Sequence, residues 1–398
     1  MATFTVDFLG CKVSQTDAQE LRERLVADGH VETYDGDSDV AVLNTCCVTH
    51  EAVRKSRQAA RRAARRAGRV YVTGCAANLA RDPFADLPGN VRVVPLPSER
   101  TPDLVAGDVG RIGCVQADVG LDRIRAFVKI QDGCSFTCSY CVIPQVRGAS
   151  RSRPAQKVLG EIARRVAQGH REVVLTGVNI GCYRDRDAGF DLARLLREAG
   201  ATPGLARLRL SSIEVNHLTD RLVAAMRETP TISPHLHVPL QSGDDGVLRA
   251  MRRRYDVATY LRRVARADGF NLTTDVIVGF PAEDEQAFER TLATVAEAGI
   301  TKVHVFPYSP RPGTATAQAD PVPPAVKKER SARLRAASDA ACRRRWESKL
   351  GSEDVVLVDR QGRGYGDDYS PWLVEAPVGE LVRAKARGIA EDGILGVV

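Results

Sequence analysis

Ten residues constrain this chain more than any other stretch. Asp132-Gly133-Cys134-Ser135-Phe136-Thr137-Cys138-Ser139-Tyr140-Cys141 follows directly on the β-rich run Val128-Lys129-Ile130-Gln131. Three closely spaced thiols on a loop delivered by a strand have the pattern of a cluster-binding segment. Three thiolates hold three irons of a [4Fe–4S] cubane and leave the fourth open to a small molecule. A zinc site asks instead for two cysteine pairs or a Cys/His set that closes a tetrahedron. No histidine or fourth cysteine stands nearby. Iron–sulfur is the reading, with zinc or a buried thiol cluster as the alternatives.

The loop also predicts its surroundings. In (β/α) barrels, sites lie at the C-terminal ends of the strands. Candidate strands at Ile124–Gln131, Glu172–Thr176, Arg207–Ser212, Leu236–Leu240, Thr273–Val278 and Lys302–Phe306 give a central partial (β/α)6 barrel within residues 120–349. Upstream, residues 1–115 alternate strands (Thr3–Leu9, Asp39–Asn44, Arg69–Thr73) with helices (Ser14–Asp28, Glu51–Ala67). That alternation reads as an N-terminal parallel α/β domain. Pro95–Val119 reads as a linker, Pro307–Pro324 as a surface wrap and Ala325–Lys349 as a charged helix. Residues 350–398 are rich in Val and Gly, with turns at Gly362–Gly366 and Asp392–Gly393, and read as a small C-terminal β-barrel. The expected fold class is therefore α/β with a small β-barrel appended.

The other cysteines follow from location. No apolar run approaches the ~20 residues of a membrane span, and the N-terminus lacks the basic start and apolar stretch of a signal peptide. A cytoplasmic protein without a membrane partner is expected, so its 10 cysteines are better read as metal or redox groups than as disulfides. Cys11, Cys46 and Cys75 each come just after a predicted strand. In a parallel sheet those strand ends share one edge, and Gly10 and Gly74 would let the backbone approach a bulky group. A second cubane-holding trio is one reading; buried small hydrophobes are the other. The adjacent Cys47 leaves open which thiol of the pair belongs to the trio. Cys114, Cys182 and Cys342 read as structural thiols, and His235 and His237 as packing or rim residues.

The formal charge is +7, and its distribution says more than its sum. Residues 54–69 read RKSRQAARRAARRAGR. At about 100° per residue the basic side chains, among them Arg54, Arg57, Arg61 and Arg65, fall on one half of a helix and the alanines on the other. A phosphate-binding ridge is one reading and a solvated face the other. Further basic runs lie at Arg147–Arg153, Arg252–Arg254 and Arg343–Arg345. In the C-terminal barrel Tyr365, Tyr369 and Trp372 are candidates for stacking on RNA, or else core residues.

The loop resembles the C-x-x-x-C-x-aromatic-C signature of the radical S-adenosylmethionine superfamily, with Tyr140 at the aromatic place. Leu9-Gly10-Cys11-Lys12-Val13-Ser14-Gln15, Asn44-Thr45-Cys46 and Gly74-Cys75 resemble the N-terminal domain of the methylthiotransferase family. Ser14, Cys47 and Ala282 depart from the family pattern. The C-terminal segment resembles the RNA-binding TRAM domain of that family. Lys55-Ser56-Arg57-Gln58, Ser211-Ser212-Ile213-Glu214, the stretches 235–243 and 251–255, and His304–Ser309 look like the branch acting on N6-threonylcarbamoyladenosine in tRNA. Other branches act on isopentenyladenosine in tRNA or on a ribosomal protein.

The resemblance implies two [4Fe–4S] clusters and S-adenosyl-L-methionine. Cys134, Cys138 and Cys141 would hold the radical-generating cluster, and Cys11, Cys46 and Cys75 the auxiliary cluster that carries the transferred sulfur. Gly177 and Asn179 lie where the superfamily contacts the methionine amino group, and Tyr140 fills the aromatic place; Ser212, Glu214 and Gln241, on the rim of the predicted barrel, are candidate S-adenosylmethionine contacts or else turn residues of tight βα loops. It further implies hydrogen abstraction at adenine C2, with tRNA and an electron donor as partners, no DNA partner and a monomer. A non-catalytic, metal-containing RNA-binding protein is the competing class.

Overall fold

A computed structural model describes residues 2–34, 37–79, 82–95, 101–109 and 124–398. Cys114 lies outside them. The chain divides into two compact units. The first comprises residues 1–120, 132–150 and 311–317; the second comprises 121–131, 151–310 and 318–398. The cysteine loop therefore belongs to the first unit, although the barrel's first strand delivers it.

The first unit is a five-stranded parallel sheet in the order β2 (Val31–Glu32), β1 (Thr3–Phe8), β3 (Ser38–Thr45), β4 (Ala67–Gly74), β5 (Val91–Val93). Helix α1 (Lys12–Ala27) follows β1, and α2 (His50–Ala63) follows β3. Continuous apolar runs such as Val40–Leu43 and Val70–Val72 suit strands buried on both faces. Two departures from expectation have local causes. Helix α2 ends at Ala63 rather than Ala67, because β4 begins at Ala67 and pairs with Ser38. Arg65 and Arg66 therefore sit in a turn and Arg69 in a strand. Within the expected linker, α3 (Thr101–Val109) is a helix that buries Val105 against Phe4, Leu21 and Tyr71.

The second unit contains six parallel strands in chain order: β6 (Arg125–Asp132), β8 (Glu172–Gly177), β11 (Arg207–Leu210), β12 (His235–His237), β13 (Asn271–Val278) and β14 (Lys302–Pro307). Isolated bridges Leu208↔Ile232 and Ser212↔His237 join β11 to β12. The helices α5 (Ala155–Ala167), α6 (Leu192–Gly200), α7 (Asp220–Glu228), α9 (Val257–Val264) and α10 (Glu285–Glu297) alternate with them. The expected partial (β/α)6 barrel is present. The short elements β7 (Arg151–Ser152), β9 (Arg184–Asp185), β10 (Phe190–Asp191) and α8 (Asp245–Ala250) decorate its loops, and α4 (Ile143–Arg147) closes the cysteine loop in the first unit.

After α11 (Pro324–Glu347), strands β15 (Glu353–Arg360), β16 (Arg363–Tyr365), β17 (Pro371–Leu373), β18 (Leu381–Ile389) and β19 (Ile394–Val397) form a closed barrel. It is joined to the half-barrel through charge. Glu172, fully buried at the start of β8, pairs with Arg125 at 2.9 Å, Arg207 at 3.1 Å and Arg209 at 2.9 Å. Burial alone would push this carboxyl up, but the three guanidinium groups hold it down in the ionised form. Arg207 donates to Val355 O (2.6 Å), and Arg209 to Gly366 O (2.8 Å) and Asp367 O (3.1 Å), of the small barrel. The small barrel thus docks at the N-terminal ends of the strands.

Candidate active site

The first cysteine trio is built by strand register. Phe8 pairs with Asn44, and Thr45 pairs with Gly74. Neighbouring parallel strands lie about 4.8 Å apart, so the residues just beyond those pairs share one edge. Cys46 and Cys75 are buried there and Cys11 is exposed. A Cβ on Gly10 would lie 2.8 Å from Cys46 Cβ, and Gly74, at φ +90°, runs so close that a Cβ would lie 2.1 Å from Asn44 Oδ1. Only glycine permits these approaches.

Cys46 interacts electrostatically with both Cys11 and Cys75, and burial pushes its thiol up to about 11. Cys47 is buried in the same apolar cluster as Cys75, with Leu43, Val72, Val142 and Val146. Its hydrogen bond to Cys75, with burial, holds Cys47 protonated. Cys47 as donor, reinforced by the Arg147 guanidinium, brings Cys75 down to about 7. Ser56, fully buried on α2, accepts from Cys46 N at 3.4 Å and donates to Ala52 O at 2.8 Å. Sequence reasoning had no reason to single out this brace.

The second trio lies on the loop after β6. Asp132 accepts from Gly133 N at 2.7 Å. Gly133, at φ +68°, passes so near Ala149 O that a Cβ would lie 2.1 Å away. Cys134 N donates to Gly148 O at 3.0 Å, and Cys141 N to Cys138 O at 3.1 Å. All three thiols are half-buried, as is Tyr140 beside them. Thr316 N donates to Ser139 O at 3.1 Å, bracing the loop with the 311–317 segment.

Among the described residues no three His, Cys, Asp or Glu side chains are gathered at metal-holding distance. Fit is therefore judged on donor chemistry. Each trio is all-sulfur, as an iron–sulfur cubane requires. In the first trio, the Cys47 donor and the Arg147 guanidinium lower the Cys75 pKa, toward the thiolate that is the ligand form.

In the second unit, the C-terminal strand ends carry polar groups without protein partners. Thr176 Oγ1, Asn179 Oδ1 and Ser211 Oγ are buried and unbonded among the described residues. Buried polar atoms normally find partners, so this set suits a polar ligand such as an amino acid or nucleoside. Asn179 N is fixed by donating to Gln131 Oε1 at 2.7 Å. Gln131, fully buried at the end of β6, is a site residue the sequence reading passed over as a strand end. Gly177 has no room for a Cβ, which would lie 2.7 Å from Gln131 O. Ser212 bridges to β12. Glu214 already accepts from Asn216 N at 3.0 Å and Asn216 Nδ2 at 3.1 Å, and its Oε1 is 3.5 Å from Arg253. Burial nevertheless raises its pKa. Gln241 sits at φ +67°, a costly conformation for a non-glycine residue, held by Gln241 N to Asp275 O at 2.8 Å and Ile277 N to Gln241 O at 2.9 Å. His235 and His237 both bond Thr273 Oγ1, at 3.1 and 3.0 Å, as rim and packing groups. Cys342 donates to Thr301 O at 3.0 Å, and Cys182 lies 3.3 Å from His217 Nε2.

The expected basic ridge is only partly available. Arg54 pairs with Glu51 at 2.6 Å, and Arg57 and Arg61 with Asp86 at 2.6 and 3.1 Å. Arg65 instead joins Arg62 and Arg66 on the rim of a cavity of about 690 Å³ floored by Ala41, Leu43 and Ala63. Of the two readings of the aromatic candidates, the packing one fits the structure. Trp372 is the centre of the small barrel's core. Tyr365 and Tyr369 stack at 4.9 Å, with Arg125 4.5 Å from the Tyr365 ring and Arg209 4.7 Å from the Tyr369 ring. They serve the junction with the half-barrel. The outward face of β18 presents Arg383, Lys385 and Arg387 to solvent instead.

Comparison with known proteins agrees with this architecture. Residues 128–295 match the radical SAM superfamily, and residues 3–95 match "Uncharacterized protein family UPF0004". The radical S-adenosylmethionine methyltransferase TsrM of Kitasatospora setae shares the fold, with a TM-score of 0.59 at 14% identity over 79% of this chain and 74% of that one. The chain thus has the architecture of a radical S-adenosylmethionine protein. It is 34% identical to threonylcarbamoyladenosine tRNA methylthiotransferase MtaB of Thermotoga maritima, over 99% of this chain and 96% of that protein. It is 36% identical to a tRNA-2-methylthio-N(6)-dimethylallyladenosine synthase of Alkalilimnicola ehrlichii, over 89% and 86%. The chain belongs to the tRNA methylthiotransferase family.

Proposed function

We propose that this protein adds a methylthio group to C2 of N6-threonylcarbamoyladenosine at position 37 of tRNA. The observation that carries the reading is one chain holding two all-cysteine trios, each at the C-terminal ends of parallel strands. Relatives named for threonylcarbamoyladenosine, from Thermotoga maritima and Chlamydia pneumoniae, span the whole chain at 34% identity and support this branch.

Cys134, Cys138 and Cys141 are assigned to the S-adenosylmethionine-binding cluster, and Cys11, Cys46 and Cys75 to the auxiliary one. When bound, these groups supply radical C–H chemistry and the sulfur for transfer. The protein's own contribution is position. Gln131 fixes the Asn179 backbone, so that the unpaired Asn179 Oδ1 and Ser211 Oγ can meet the cofactor's polar groups. Gly177 lets the backbone pass close to Gln131 O, Ser212 is fixed by its bridge to β12, Tyr140 stands within the loop between Cys138 and Cys141, Glu214 offers a braced carboxylate, and Gln241 is held in a conformation that local packing over-determines. Arg62, Arg65 and Arg66, with Arg383, Lys385 and Arg387, are assigned to tRNA phosphates; Arg54, Arg57 and Arg61 reach RNA only by leaving their carboxylates. The reading includes a one-electron donor, a monomer in the cytoplasm, and no membrane or DNA partner. No helix among the described residues is long and apolar enough to cross a membrane.

Nucleoside analysis of tRNA from a deletion strain tests the proposal. It expects loss of 2-methylthio-threonylcarbamoyladenosine, with the unmethylthiolated nucleoside accumulating. Loss of 2-methylthio-dimethylallyladenosine instead would move the protein to the other tRNA branch.

A further inference from the structure

Arg147 ends α4 with contacts to two carboxylates and a thiol. It is 4% exposed. Its Nη2 lies 2.8 Å from Asp17 Oδ2, a partner equally buried on α1. Its Nη1 lies 3.0 and 3.2 Å from the two carboxylate oxygens of Asp132, where the cysteine loop leaves β6. Its Nε donates to Cys75 Sγ at 3.0 Å. One planar guanidinium therefore touches the loop of one trio, a sulfur of the other and the helix that follows Cys11. A fixed fork of donors is what arginine offers and lysine does not.

A purely structural ion pair would need only the two carboxylates. The third contact, a charge-assisted N–H···S bond to a thiol, is the kind of outer hydrogen bond that sets the potential of an iron–sulfur cluster. We propose that Arg147 is a positioning residue that pins the cysteine loop to the N-terminal sheet and, through Cys75, raises the reduction potential of the cluster held by Cys11, Cys46 and Cys75. This rests on the two-cluster reading. The sign follows from electrostatics: the reduced cluster carries one more negative charge, and a buried cation beside a sulfur ligand stabilises it.

The test is a redox titration of the auxiliary cluster alone, in full-length protein carrying C134A/C138A/C141A and reconstituted anaerobically. Adding R147Q is expected to shift the midpoint potential to a more negative value. R147K, which keeps the charge without the fork, should fall between. D17N, which leaves the N–H···S bond and the Asp132 pair in place but removes a buried negative charge, should shift the potential the opposite way, to a less negative value. If R147Q fails to fold, the R147K shift decides: a potential equal to the parent's overturns the assignment. An intact cluster whose potential is unchanged in R147Q also overturns it while sparing the two-cluster reading. A triple-alanine parent that binds no iron sinks both.

Discussion

The two cysteine trios are assembled by opposite routes. Cys134, Cys138 and Cys141 are neighbours in sequence, and a turn of backbone from Gly133 to Gly148 arranges them. Cys11, Cys46 and Cys75 are separated by tens of residues, and only the pairing of β1, β3 and β4 brings them to one edge. A loop-borne trio keeps its members adjacent in sequence whatever the sheet does; a sheet-borne trio exists only while the sheet does. The contrast has measurable consequences.

The largest effect is loss of function by either route, with different intermediate readouts. Replacing Cys134, Cys138 and Cys141 by alanine is expected to abolish both cleavage of S-adenosylmethionine and tRNA modification. Replacing Cys11, Cys46 and Cys75 is expected to abolish only the methylthio product. Each set should lower bound iron by about four per chain, one cubane's worth. Cleavage and product assays on the same preparations would expose any sharing of ligands between the trios.

Next in size is the choice within the cysteine pair. Cys46→Ala is expected to lose the auxiliary cluster's iron, and Cys47→Ala to keep it, because Cys46 is the thiol of the pair that interacts with both Cys11 and Cys75. Equal iron loss from both variants would blur the trio's membership.

The two glycines sharpen the comparison further. Gly74→Ala forces a side chain into a left-handed position against Asn44 and should cost about 2 kcal/mol or more of sheet stability. Gly133→Ala, whose Cβ would lie 2.1 Å from Ala149 O, should instead deplete the loop cluster's iron while lowering the urea midpoint of the apo-protein less than Gly74→Ala does. Similar midpoints for both variants would erase the distinction.

The second unit offers a pH test. Burial works against the Asp368 charge, yet Lys349 and Arg345, at 3.0 and 2.8 Å, hold its carboxyl down at about 2. Its folded pKa lies below the unfolded ~3.9, so the ionised group stabilises the fold above that pH and loses its effect as pH falls through about 2. Asp368→Asn should cost about 2–3 kcal/mol at pH 7, with the gap from the parent closing between about pH 4 and 2. Denaturant melts at several pH values measure it.

The smallest effect concerns RNA. Arg383→Ala/Lys385→Ala/Arg387→Ala is expected to flatten the salt dependence of tRNA binding by about 2–3 in log–log slope, about one per phosphate contact. Tyr365→Ala should act through folding of the junction instead, leaving that slope unchanged.

Much of this was legible in the chain itself. Cys134, Cys138 and Cys141 declare themselves because their geometry is local, and the six barrel strands because β-rich runs alternate with helical ones. Tertiary structure alone decided the rest, wherever a residue's role depends on partners far away in sequence. The rhythm of residues 54–69 could not reveal that Asp86 claims Arg57 and Arg61, or that β4 takes the chain at Ala67 and ends the helix. Tyr365 and Tyr369 look like stacking platforms until Arg125 and Arg209 are seen beside them. Arg147 reads as one more cation near a basic run until Asp17, Asp132 and Cys75 close around it. Periodicity and spacing encode local geometry, whereas burial of charge requires partners that only the folded chain brings within a few ångströms.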